Sequence, residues 1–327
     1  MPERHRKVTT DKTFVDLGVR IPLISVLAAR GITQPFPIQV ATLPNTLAGR
    51  DVLGRGKTGS GKTLAFSIPL ASRLSENNRH PSRPSGLVLA PTRELATQIT
   101  ATLEPLAAVY DLRVTTIFGG VPQTRQESAL RSGIDIVVAC PGRLEDLMKQ
   151  GLISLESIEI TVIDEADHMA DLGFLPGVTR ILAATPTGGQ RLLFSATLDN
   201  GVDKLVNRFL RNEVLHSVDG LNSPVSAMTH HVFHVAGAQA KKELVHRLAS
   251  GTGRRILFLR TKHEARKLAK QRSPNRKFRQ LTCTATCLSP LVTAIWPRSS
   301  RARPGCWWQP ISPRVACTST RSSWWCT

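Results

Sequence analysis

Gly56-Lys57-Thr58-Gly59-Ser60-Gly61-Lys62-Thr63 is the stretch that decides the fold. It fits the pattern G-x-x-x-x-G-K-[ST], with Gly56 and Gly61 as its glycines. Asp51-Val52-Leu53 before it reads as a short buried strand, and Leu64-Ala65-Phe66 after it opens a helix. In that setting the glycines of the turn let backbone N–H groups converge on an anion. The helix N-terminus adds its partial positive charge. Lys62 is placed to reach the outer phosphates of a nucleoside triphosphate, and the Thr63 hydroxyl to ligate Mg²⁺.

Further along, Ile160-Thr161-Val162-Ile163 is a β-branched run that ends in Asp164-Glu165-Ala166-Asp167. A strand that delivers carboxylates at its C-terminal end suits a doubly wound α/β sheet. There Asp164 would hold the Mg²⁺ and Glu165 would polarise an attacking water, with Lys62 completing the catalytic set. Taken alone, an Asp-Glu pair is more often a solvated helix start. The phosphate loop makes the catalytic reading the better one.

Strand-like runs alternate with helical stretches at Leu87–Ala90, Val114–Phe118, Ile134–Ala139, Ile160–Ile163 and Leu192–Ser195. This alternation is the mark of a parallel sheet with helices on both faces. The first domain is expected over 14–210 and a linker rich in Asn, Ser and Pro over 211–229. A second, incomplete domain is expected over 230–271: a strand at His231–Val235, a helix at Lys241–Ala249, a strand at Ile256–Leu259 and a helix at Glu264–Gln271. His230, His231 and His234 are not read as a metal site, because no Cys or carboxylate lies near them at ligand spacing.

Together these motifs resemble the DEAD-box ATP-dependent RNA helicases of bacterial type. Asp164-Glu165-Ala166-Asp167 spells the family signature. Gly31 to Gln39 (GITQPFPIQ) is similar to its Q motif, and Phe14 stands where the family keeps an isolated aromatic. Pro91-Thr92-Arg93-Glu94-Leu95, Gly119-Gly120, Pro141-Gly142-Arg143, Ser195-Ala196-Thr197 and Ile256-Leu257-Phe258-Leu259 follow in the family's order. The resemblance covers roughly residues 14–270. It implies a RecA-like P-loop NTPase fold followed by a partial second RecA-like domain, with ATP and Mg²⁺ as cofactors. ATP would be bound by Phe14, Gln39, Thr58, Gly59, Ser60, Gly61, Lys62 and Thr63. Phe14 would stack on the base, and the Gln39 amide would read the adenine edge.

RNA would be bound through its backbone by Pro91, Thr92, Arg93, Gly119, Gly120, Pro141, Gly142 and Arg143, independently of sequence. Asp167, Ser195 and Thr197 would couple hydrolysis to separation of the strands. Two positions depart from the pattern: Gly56 stands where the family usually has Ala, and Cys140 where it usually has Thr. No apolar run is long enough to span a bilayer. The N-terminal MPERHRKVTT lacks the apolar core of a signal peptide, so a cytoplasmic protein is expected.

The composition changes after Gln271. All five Trp and five of the six Cys lie beyond it, with no Asp, Glu or His. The chain has a formal net charge of +19, yet residues 1–264 hold 31 basic and all 24 acidic residues, a net of only +7. The headline charge is therefore a weak argument for a nucleic-acid partner. A basic disordered tail is one reading of 272–327; a shifted reading frame is another. When the third base of each codon is joined to the first two of the next, Cys306-Trp307-Trp308-Gln309 must encode Leu-Val-Ala. The codons that follow permit Thr-Asp and then Ala-Ala-Arg-Gly, the phrase of the family's motif V. Leu281 to Ala285 permits Asp-Leu-His-Gly, and Ser323 to Thr327 permits Leu-Val-Val-His, in the same frame. On this reading the tail replaces motifs V and VI. That leaves, as the alternative to an active helicase, a remnant that binds ATP and RNA with impaired catalysis.

Overall fold

The computed structural model describes residues 12–76, 79–199, 201–218, 231–249, 255–259, 278–283 and 291–297. The chain divides into two compact units, Met1–Asn222 and Ser223–Thr327.

The first unit is built on seven strands: β1 (Val52–Arg55), β2 (Gly86–Leu89), β3 (Val114–Ile117), β4 (Ile136–Ala139), β5 (Ile160–Asp164), β6 (Gln190–Ser195) and β7 (Val214–Ser217). They pair in the order β3-β4-β2-β5-β6-β1-β7, and every pairing is parallel. Helices α1 (Ile21–Ala29), α2 (Pro37–Leu47), α3 (Lys62–Arg73) and α4 (Arg93–Ala107) lie on one face. On the other lie α5 (Gln123–Arg131), α6 (Pro141–Lys149), α7 (Ala166–Asp171), α8 (Leu175–Ala183) and α9 (Val202–Phe209).

Period-two alternation sorts the strand residues between these layers. Val52, Val88, Val138, Val162 and Leu192 pack with Phe66, Ile99 and Leu103 of the first layer. Their neighbours Leu53, Leu87, Leu89, Val137, Ile163 and Leu193 pack with Leu147, Ile181 and Leu205 of the second. Both faces are covered, so the strands read as near-continuous apolar runs. Gly54 is needed where it stands: a Cβ there would lie 2.4 Å from the ring of Phe194, which packs against Phe66 with centroids 5.5 Å apart. At the opposite end of the sheet, the buried Asp51 carboxylate accepts from the N–H groups of Arg191 and Arg211, each at 2.8 Å. It ties the start of β1 to β6 and to the segment after α9.

The expected linker is corrected at its first half. Val214–Ser217 is a strand that pairs with β1, so the first unit runs past residue 210. Its alternating half-buried and exposed side chains suit an edge strand, and the flanking polar residues hid it in the sequence. The second unit holds α10 (Ala238–Ala249) and the strands β8 (Arg255–Leu259), β9 (Phe278–Cys283) and β10 (Leu291–Pro297). These strands pair in the order β8-β10-β9, antiparallel throughout, where a RecA-like sheet is parallel. The expected strand at His231–Val235 is not formed, and the expected helix begins at Ala238 rather than Lys241. The expected helix at 264–271 falls outside the described residues, as do His230 and most of the tail. Within 272–327 the described residues are those of β9 and β10. Leu291-Val292-Thr293-Ala294-Ile295-Trp296 is rich in the β-branched and aromatic residues that favour strands.

Candidate nucleotide and nucleic-acid site

Because every strand of the first unit runs the same way, all the functional loops emerge along one edge, at the C-terminal ends of the strands. The phosphate loop follows β1, Asp164 and Glu165 end β5, and Ser195 ends β6. These are adjacent strands or next neighbours. Pro91 and Thr92 follow β2, Gly119 and Gly120 follow β3, and Pro141, Gly142 and Arg143 follow β4. The sequence-predicted residues thus fall into two neighbouring groups on one rim.

In the loop, Gly59 and Gly61 have φ of +83° and +91°, which the turn into α3 requires. Gly61 is the N-cap of α3, and Lys62 and Thr63 are its first residues. The Lys62 ammonium donates to the Gly56 carbonyl at 3.0 Å and to Glu165 Oε1 at 3.2 Å. Thr58 Oγ1 adds a longer contact to the same oxygen at 3.4 Å. Both members of the Lys62–Glu165 pair are 5 % exposed. Glu165 Oε2 is buried with no hydrogen-bond partner, and Glu165 has left-handed backbone (φ 52°, ψ 51°) at the start of α7. A non-glycine residue held in that conformation stores strain, and such strain gathers at functional positions.

Asp164 is 2 % exposed, and its Oδ1 accepts from the Glu165 N–H at 3.1 Å. Burial pushes its carboxyl up to about 7, with the Glu165 charge adding to the rise and the Lys62 charge opposing it. Asp167 is the hub that joins β5 to β6. Its Oδ2 accepts from the N–H groups of Ala196 and Thr197 and from Thr197 Oγ1, at 3.0–3.2 Å. Its own N–H donates to Ser195 Oγ at 3.2 Å. The Ser195-Ala196-Thr197 segment is thus held directly to the acidic motif. Arg55 at the end of β1 reinforces the link by donating to the Ala196 carbonyl at 3.3 Å, a role that no motif signals.

In the second group, Thr92 caps α4 by accepting from the Leu95 N–H at 3.2 Å. The Arg93 guanidinium lies over the Phe118 ring, 5.3 Å from its centroid. Its NH1 sits 2.7 Å from where a Cβ on Gly120 would be, so that glycine, with φ of +77°, makes room for the arginine. Arg93 Nε and Arg143 NH1 are buried polar atoms without partners. Phe118 belongs to no motif in the sequence; its position next to Gly119-Gly120 is the one available signal.

Two of the residues expected at the base are buried. Phe14 is 2 % exposed and packs among Leu17, Leu23, Leu27 and Leu43, so its ring is not presented to a base. Gln39 is 1 % exposed, and both ends of its amide are engaged: Oε1 accepts from the Phe36 N–H and Nε2 donates to the Gly61 carbonyl, each at 2.9 Å. As the third residue of α2, Gln39 satisfies an N–H that the helix itself leaves unpaired. Phe36 carries that N–H, and in the sequence only its place between Gly31 and Gln39 marks it.

The sequence signature of the DEAD/DEAH box helicases matches residues 36–205. DEAD-box ATP-dependent RNA helicase 53 of Oryza sativa is 38 % identical over 261 residues, covering 77 % of this chain and 43 % of that protein. ATP-dependent RNA helicase RhlB of Sodalis glossinidius is 37 % identical over 262 residues, covering 78 % of this chain and 63 % of that protein. The chain therefore spans less than two thirds of either relative. Among solved structures, a DEAD box protein of Methanococcus jannaschii aligns with a TM-score of 0.60 at 28 % identity, over 79 % of this chain and 69 % of that one. The RNA helicase Prp28 of Chaetomium thermophilum bound to ADP aligns with a TM-score of 0.59 at 30 % identity, over 82 % and 63 %. With its phosphate loop, its Asp164–Asp167 signature and its sheet order all accounted for, the chain belongs to the DEAD/DEAH box helicase family.

Proposed function

We propose that this chain is an ATP-dependent RNA helicase that couples hydrolysis of Mg²⁺-ATP to the opening of short duplexes or the remodelling of RNA–protein complexes. The observation that carries this reading is the direct contact between Lys62 of the phosphate loop and Glu165, beside an Asp167 that binds Ser195-Ala196-Thr197. The relatives are named as ATP-dependent RNA helicases, and one aligned structure holds ADP. Both support ATP as the nucleotide.

Lys62 would exchange Glu165 for the outer phosphates, while the N–H groups at the start of α3 hold the phosphate chain. Glu165, released from the lysine, would orient a water and take up its proton. The Glu165 Oε2 that lacks a partner and the Asp164 carboxylate, whose charge burial disfavours, both fit a nearby divalent cation. Among the described residues no group of three His, Cys, Asp or Glu could hold a metal. Thr63 and Asp164 are the residues that would hold Mg²⁺, an ion that commonly binds through few protein oxygens together with substrate phosphates. The ion would neutralise charge that builds on the transferring phosphoryl group.

RNA backbone would run past Arg93, Gly120 and Arg143, where the buried guanidinium nitrogens still lack acceptors. Contacts of this kind grip phosphates without reading bases, so the preference is for RNA shape. Among the described residues no helix is long and apolar enough to cross a membrane.

The test is ATP turnover by the full chain with and without duplex RNA, alongside Lys62→Ala and Glu165→Gln. RNA should stimulate turnover, and both substitutions should abolish it. Turnover indifferent to both would refute the assignment.

A further inference from the structure

We propose that Arg55 is a positioning residue that ties the phosphate loop to the Ser195-Ala196-Thr197 segment, so that RNA-stimulated ATP turnover depends on its side chain. The inference rests on the function proposed above and adds to it a residue that lies outside every motif.

Arg55 is the last residue of β1 and stands directly before Gly56, where the phosphate loop begins. Its backbone is fixed from both sides. It lies opposite Ser195 of β6 and Ser217 of β7. Its carbonyl accepts from the Val218 N–H at 3.2 Å, and the Gly56 N–H donates to the Ser195 carbonyl at 3.1 Å. The backbone ladder thus sets the register of β1 against β6 without help from a side chain. The half-buried Arg55 side chain is left for another task. It reaches past the end of β6, where its Nε donates to the Ala196 carbonyl at 3.3 Å.

Ala196 is thereby held at both of its backbone groups, from two different strands. Asp167, beyond β5, accepts from its N–H at 3.2 Å, and Arg55, on β1, donates to its carbonyl. Next to Arg55, the Gly56 carbonyl accepts from the Lys62 ammonium at 3.0 Å. Contacts therefore run without a gap from Lys62 through Gly56 and Arg55 to Ala196, and on to Asp167. Energetic coupling is carried by contiguous contacts of this kind. When ATP draws Lys62 away, the Gly56 peptide loses a partner, and the change falls on the residue beside the one that grips Ala196. The bond itself has a charged donor, which places it among the stronger single hydrogen bonds.

Two substitutions of similar reach separate the donor from the bulk. Arg55→Gln keeps an N–H donor as many bonds from Cα as the arginine Nε and removes the charge. Arg55→Met fills the same length without a donor. In the full chain, Arg55→Met is expected to lower the RNA-stimulated kcat about ten-fold, the loss that one hydrogen bond from a charged group predicts. The KM for ATP, and ATP affinity by calorimetry, should stay at parent values. Amide hydrogen exchange at Ala196 and Thr197 should quicken about ten-fold in the same variant. Arg55→Gln should match the parent in all of these. Parent-like kcat or parent-like exchange in Arg55→Met overturns the inference. So does a fall in kcat matched by a fall in ATP affinity, which would mean that the side chain only props up the loop. Failure of Arg55→Gln alongside Arg55→Met overturns it too, because charge rather than the bond to Ala196 would then be the requirement. A parent chain whose turnover gains nothing from RNA refutes the proposed function, and the inference falls with it.

Discussion

Replacing Asp164 with asparagine should make the nucleotide-free protein more stable at alkaline pH, and the gain should vanish in acid. Asp164 closes β5 at 2 % exposure, and burial lifts its carboxyl from 3.8 to about 7. Between those values the folded chain keeps a proton that the unfolded chain has released. Stability therefore falls as pH rises through the window and levels off above about 7. The full rise corresponds to about 4 kcal/mol, of which roughly a third is already lost by about pH 5. The substituted amide cannot ionise and keeps an oxygen for the Glu165 N–H. Any cost of burying that amide is the same at every pH. The stability difference between Asp164→Asn and the parent chain should thus grow by about 2–3 kcal/mol between about pH 5 and about pH 8. Urea unfolding of the full chain without nucleotide or Mg²⁺ across that range measures the difference. A constant offset between the two proteins would refute the argument from burial.

Two more substitutions and one sequencing experiment probe other parts of the chain. Gly61→Ala combines a φ of +91° with a Cβ 2.3 Å from the Phe36 ring; it should cost about 1–3 kcal/mol in thermal unfolding and abolish ATP binding, and unchanged binding would contradict the assigned turn. Asp167→Ala removes the acceptor shared by Ala196, Thr197 and His168. It should cost about 2–3 kcal/mol and abolish stimulation of ATP turnover by RNA, whereas a loss below about 0.5 kcal/mol would show that β5 and β6 do not depend on it. Sequencing the coding DNA around codons 271–281 should reveal a shifted frame from which the family's motif V reads on; a shifted frame with no such phrases downstream would dispose of that origin for the tail.

The sheet and its rim were legible because their signals are local. A glycine-rich turn between a strand and a helix, and a β-branched run that ends in acids, each declare themselves within a few residues. The contacts of Ser195 and Thr197 with Asp167 were legible for a different reason: the resemblance to a family supplied partners that spacing alone does not. What stayed hidden depends on which side of a helix a residue faces. Phe14 and Phe36 are both single aromatics ahead of the phosphate loop in the chain, and nothing in their sequence neighbours says that one is in the core and the other in solvent. Gln39 is ambiguous in sequence because its amide can serve a base or a helix end, and its bonds to the Phe36 N–H and the Gly61 carbonyl join residues that spacing does not bring together. The strand at Val214–Ser217 escaped because an edge strand needs only half of an apolar pattern, and His216 and Ser217 supply the rest.

The order of the strands also acts as a ruler. Parallel neighbours stand about 4.8 Å apart, so the seven strand ends set out a rim roughly 29 Å long with fixed marks. The residues proposed to hold nucleotide occupy the marks of β1, β6 and β5, and those proposed to hold RNA the marks of β2, β4 and β3. No strand supplies both groups, and the two meet only where β5 lies beside β2. Such a division makes the fold modular at the scale of a single loop. On the proposed function, the turns after β3 and β4 could be lengthened or exchanged to suit a differently shaped RNA while the loops of β1, β5 and β6 keep their spacing.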